Sequence, residues 1–303
     1  MKWKVDGQTI VGGNGYGHEL NQLSSPHGIY VDDEEKCIYI ADDGNHRIIK
    51  WKLDSGSDHG EIVAGGNSEG NRIDQLFWPT DVILDEKKKS LIICDCGNER
   101  VVRWSLENPN GDKEILIENI RCRGLMMNEN GDLFVSDREN NAVKRWRKDE
   151  IGKGGEGTIV AGGNNRGNKL NQLNEPTYIF IDREETIYVS DEWNNRVMKW
   201  YKGANEGIIV AGGQGQGNSL NQLYYPQGLV VNEVGDIYVA DSNNHRIMCW
   251  SLGSKEGRVV VGGNGQGEES NQLNYPYGLS FDVENNLYVA DQENNRIQRF
   301  RID

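Results

Sequence analysis

Short apolar runs alternate with polar turns along the whole chain. Gly228–Val231 is a compact apolar run, and Asp236–Ala240 alternates with a period of two. Arg246–Trp250 and Arg258–Val261 follow at similar spacing. β-branched and aromatic residues fill these runs, and Gly, Asn and Asp separate them, which predicts strands of four to five residues. No segment sustains the 3.6-residue apolar period of a helix.

The four-run unit repeats. Asp42, Asp95, Asp137, Asp191, Asp241 and Asp291 each end a second run, at spacings of 53, 42, 54, 50 and 50 residues. Five residues later stand Arg47, Arg100, Ala142, Arg196, Arg246 and Arg296. Nine residues later stand Trp51, Trp104, Trp146, Trp200, Trp250 and Phe300. Pro26, Pro79, Pro176, Pro226 and Pro276 open five units, and Cys122 takes that place in the third. A four-stranded unit repeated every ~40–50 residues predicts a β-propeller blade. The expected fold is all-β, a six-bladed propeller of four antiparallel strands per blade. It forms one domain over 1–303, with blades near 26–66, 79–117, 122–163, 176–213, 226–263 and 276–303 plus 8–13. The sixth unit lacks a fourth strand, and Gln8–Val11 matches one, so the N-terminal strand is expected to close the last blade and cover its edge.

The strings Pro226-Gln227-Gly228, Tyr238-Val239-Ala240-Asp241 and Asn244-His245-Arg246-Ile247 resemble the NHL repeat of six-bladed propellers. The resemblance covers about 290 residues. It implies the fold directly and a binding function less directly. Its relatives include calcium-dependent lactonases and esterases, an amidating lyase that uses zinc, and RNA-binding domains.

Composition narrows these classes. Lys and Arg number 33 and Asp and Glu 47, a formal charge of −14. An acidic surface repels nucleic acid and anionic lipid, so DNA and membrane insertion are not expected. No run approaches the ~18 apolar residues of a membrane span. RNA needs a basic top surface, and only Arg121, Arg123, Arg138, Lys144 and Arg145 cluster, in the third unit. The five cysteines, Cys37, Cys94, Cys96, Cys122 and Cys249, have neither zinc spacing nor a framework pattern. They read as buried free thiols, with Cys94–Cys122 or Cys96–Cys122 as the alternative bridges. Met1-Lys2-Trp3-Lys4 carries no apolar signal region and falls inside the repeat pattern. The pattern points to a domain of a longer protein and assigns no compartment.

Residues present in every unit serve the unit. The aspartates read as acceptors of a tight Asp-x-x-Asn turn, paired with the arginine five residues on; in the third unit Arg123 or Arg138 is expected to replace it. The repeated aromatics read as packing between blades. His18, His27, His46, His59 and His245 fall at different repeat positions and do not converge as zinc ligands. Of the metals the resemblance suggests, calcium at the central channel is the one left open. It would need ~6–8 oxygens, and Asp81 is nearly alone, so otherwise no cofactor and no catalytic residue is expected.

Recognition falls to positions that vary between units. The residue after each opening position enters the channel mouth: His27, Thr80, Arg123, Thr177, Gln227 and Tyr277. Trp193 is a large aromatic at a turn tip that is polar elsewhere. Between the second and third units only five positions separate Ile117 from Cys122, where Val210 and Pro226 are 16 apart. The lost link predicts a notch flanked by Thr80, Asp81, Arg121, Arg123, Arg138 and Glu139. The expected function is a non-catalytic, monomeric scaffold that recognises a protein or peptide on its top face. RNA binding and a metal-dependent lyase or hydrolase are the alternatives.

Overall fold

Six four-stranded antiparallel sheets make up the computed structural model, which describes residues 2–85, 87, 89–108 and 111–303. In the first blade Pro26–Asp32, Cys37–Asp42, Arg47–Lys52 and Glu61–Gly65 run from the inner to the outer edge. The next four repeat this order. The sixth takes Pro276–Phe281, Leu287–Asp291 and Arg296–Phe300 from the C-terminus and Gln8–Gly12 from the N-terminus. Gln8 lies opposite Arg299 and Gly12 opposite Arg296, the closure expected from the repeat. Inner strands touch their neighbours in cyclic order, the sixth against the first. Among the described residues no helix is long and apolar enough to cross a membrane.

The core lies between blades, because each sheet is apolar on both faces. Leu125, Leu133, Val135 and Trp146 of the third blade pack on Ile83, Ile92, Val101 and Leu116 of the second. The repeated aromatics are buried in such layers, as expected. Trp3 joins the layer between blades five and six, edge-on to Tyr238 and stacked on Phe281. Its indole Nε1 donates to Asn285 O at 3.0 Å.

Two features of the inner strands shape the channel. A bulge follows the opening position in every blade: Pro226 pairs with Asp241, but Leu229 pairs with Val239. Bulges re-aim side chains, and here they turn the next two residues toward the mouth. The second of these is Gly28, Gly124, Gly228 or Gly278 in four blades. A Cβ on Gly278 would meet the carbonyl of His27 in the adjoining inner strand, so the close approach of neighbours requires glycine. Blades two and four carry Asp81 and Tyr178 instead.

The cysteines depart from the free-thiol expectation. Cys94 and Cys122 form a disulfide, while Cys37, Cys96 and Cys249 are free. The bridge joins the second strand of blade two to the inner strand of blade three, where the long link is missing.

Candidate functional site at the channel mouth

The scaffold of the top face is a repeated carboxylate clamp. Asp42 Oδ1 accepts the Ser24 N–H at 2.7 Å, and Oδ2 accepts Asn45 Nδ2 and Arg47 Nε at 2.8 and 2.7 Å. The rest of the Arg47 fork reaches the link ahead of the blade, donating to the carbonyls of His18, Glu19 and Gln22. Arg100, Arg196, Arg246 and Arg296 do the same in their blades. Burial raises the pKa of these aspartates, and the arginine beside each pulls it back.

The third blade corrects the expected substitute. Lys144 Nζ lies 2.9 Å from Asp137, and neither Arg123 nor Arg138 takes that place. The arginine's second task is to hold the preceding link. Blade three has no long link, so a fork at position 142 would have no loop carbonyls to bind.

The mouth itself collects the predicted first-position residues. Thr80 and Thr177 are buried and donate to the carbonyls of Cys122 and Pro226 in the next blades, at 3.4 and 3.3 Å. His27 stacks on Tyr277, with ring centroids 4.5 Å apart. Arg123 comes from the blade opposite Tyr277 and places its guanidinium 5.6 Å from that ring. No carboxylate among the described residues lies within ion-pair distance of Arg123, and its buried Nε has no hydrogen-bond partner.

Carboxylates surround this cation at longer range. Burial pushes Asp43 and Asp81 up to about 7 despite the nearby Arg123 charge. Burial likewise raises Glu192, against Arg138 and then Arg123. Desolvation, then Arg123 and Arg138, hold the His27 pKa well below the usual histidine value. Asp81 is anchored, its two oxygens accepting the N–H groups of Val82 and Leu125 at 3.0 and 2.8 Å. Tyr178 crosses the channel from blade four, and its hydroxyl donates to the Thr80 carbonyl at 3.3 Å. Tyr178 is not among the residues expected at the mouth, although the broken Pro-x-Gly pattern at Pro176-Thr177-Tyr178 marks it.

Other expectations are met only in part. The notch does not gather its arginines. Arg138 turns to blade four and pairs with Glu175 at 2.7 Å and Glu192 at 3.4 Å. Arg121 is exposed beside it, its carbonyl accepting the Arg138 N–H. Lys144 and Arg145 are paired with Asp137 and Glu185, so three of the five clustered cations are neutralised. Trp193 is 47% exposed on the rim, with Arg166 over its ring at 4.7 Å and Tyr225 6.3 Å away.

The donor set does not fit a calcium ion. The Asp81 oxygens are engaged by backbone N–H groups, and the positive charge of Arg123 acts on the same carboxylate, so a metal ion there would meet like charge. Among the described residues no group of three or more His, Cys, Asp or Glu converges as metal ligands. Cavities lie off the axis as well. One of about 670 Å³ runs along the side between blades four and five, lined by Tyr188, Tyr201, Ile208, Leu252 and Lys255.

Comparison with known proteins gives two results. The NHL repeat model matches residues 223–250 and 273–300. Among solved structures, the chain is similar to an auxiliary nutrient binding protein from Bacteroides thetaiotaomicron, with 16% identity and a TM-score of 0.74 over 99% of this chain and 76% of that one. It is also similar to a gluconolactonase from Xanthomonas campestris, with 11% identity and a TM-score of 0.64 over 98% and 95%. A virginiamycin B lyase from Staphylococcus aureus gives 13% identity and a TM-score of 0.57 over 95% and 98%. At these identities the likeness is one of fold.

Proposed function

We propose that this chain, a six-bladed β-propeller of the NHL-repeat family, is a binding protein that takes a carboxylate-bearing peptide or protein segment on its top face. Arg123 carries the reading. It is a guanidinium at the axis, flanked by Tyr277, with its Nε unsatisfied and no carboxylate among the described residues in contact. A planar guanidinium matches a carboxylate with two parallel hydrogen bonds. Trp193 and Tyr225 on the rim offer aromatic surface of the kind enriched at binding hot spots.

RNA fits less well, since Arg138, Lys144 and Arg145 are already paired within the protein. A metal-dependent hydrolase or lyase fits less well, since the Asp81 oxygens are already engaged by backbone N–H groups and Arg123 supplies positive charge beside them. The reading is tested by selecting peptides from a random library on the intact protein and measuring their affinity for Arg123→Gln. Selected peptides should carry an acidic group and bind the variant at least ~10-fold more weakly, about 1.4 kcal/mol. Undiminished binding would overturn it.

A further inference from the structure

Three first-position residues at the mouth keep a buried polar atom without a partner: His27 Nδ1, Arg123 Nε and Gln227 Oε1. They come from blades one, three and five, so the vacancies alternate around the axis. Among the described residues, no other unpartnered atom of this kind sits on the first residues of an inner strand. Unpaired buried polar groups destabilise a fold, and three at one opening point to a ligand that pairs with them.

Each vacancy has a fixed sense. Gln292 Nε2 lies 3.0 Å from His27 Nε2. An amide nitrogen only donates, so His27 Nε2 accepts and the neutral ring carries its proton on Nδ1. Gln227 lies beside the Glu192 carboxylate, toward which only its amide N–H can donate, and this leaves Oε1 as an acceptor. Arg123 only donates. The mouth therefore offers two donors, one of them cationic, and one acceptor. In the intervening blades the Thr80 and Thr177 hydroxyls are already bonded.

We infer that the group received here is the free C-terminus of a polypeptide, an inference that rests on the axial reading above. A terminal residue carries a carboxylate for Arg123 and His27, and an N–H on the same Cα for Gln227. It also enters end-on. Tyr178, bonded across the channel to Thr80, takes up part of the opening, so a single chain end fits where an internal acidic residue would bring two chain arms into one mouth.

Small probes separate the elements of this claim. The full chain is ¹⁵N-labelled and its arginine Nε–H resonances are followed, Arg123→Lys identifying the Arg123 signal. N-acetylglycine has the carboxylate and the N–H. 4-Oxopentanoate replaces that N–H by CH₂, and N-acetylglycinamide lacks the charge. N-acetylglycine should shift the Arg123 signal saturably, 4-oxopentanoate should bind at least ~10-fold more weakly, and the amide should leave it unmoved. Gln227→Leu should erase the difference between the two acids. Equal binding of the two acids to the wild-type protein overturns the C-terminus inference and leaves the carboxylate site standing. No shift with either acid overturns the axial reading itself.

Discussion

An arginine follows each strand-ending aspartate by five residues, except where the loop it would hold is absent. The aspartates and arginines were legible in the sequence because both partners lie in one turn, within reach set by local geometry. Lys144 was not legible: it stands on the strand beside Asp137, seven residues on, where other blades place apolar residues or Gln298. Lys144→Ala leaves the buried Asp137 without its cation and should cost about 1–3 kcal/mol in urea unfolding. Ala142→Arg should give no stabilisation, having no link to bind. Asp241→Asn should likewise cost about 1–3 kcal/mol, while peptide affinity of the folded fraction stays unchanged. A stable Asp241→Asn protein that cannot bind would show that the clamp is part of the site.

Strand order and closure were readable at the level of elements, since each blade repeats one pattern and the sixth lacked one strand. Cross-blade partners were not readable. The Cys94–Cys122 disulfide and the Arg138 pairs with Glu175 and Glu192 depend on how the ring sets blade two against three and three against four. The first-position residues were found from the Pro-x-Gly pattern, but the bulge that points them at the axis appears only in the strand register. Deletion of residues 1–13 removes the outer strand of blade six together with Trp3. It should lower stability by several kcal/mol, and Trp3→Ala alone by about 3–5 kcal/mol. An unchanged melting temperature after the deletion would contradict closure by this strand.

At the scale of the molecule, an acidic propeller sets Arg123, which has no ion-pair partner among the described residues, among carboxyl groups that burial keeps partly protonated. Asp43 and Asp81 are raised to about 7, so between roughly pH 4 and 7 the folded chain holds protons that the unfolded chain has released. Their contribution to stability therefore falls as pH rises through that window. Protonation also removes negative charge from around Arg123. His27 stays neutral, its pKa being depressed, and Arg138 remains paired with Glu175 and Glu192. A carboxylate ligand should bind more tightly at pH 6 than at pH 8 by roughly 3–10-fold, measurable by calorimetry. Asp81→Asn and Asp43→Asn should each flatten that dependence.

Recognition is assigned here to the axis, although a cavity of about 670 Å³ lies on the side between blades four and five. One affinity comparison decides between them. Peptides selected on the wild-type protein are titrated against Arg123→Gln and against Tyr201→Ala, which opens the side cavity without touching the mouth. Binding to Arg123→Gln should be at least ~10-fold weaker, and binding to Tyr201→Ala unchanged. Loss at Tyr201 with full affinity retained at Arg123 would contradict it.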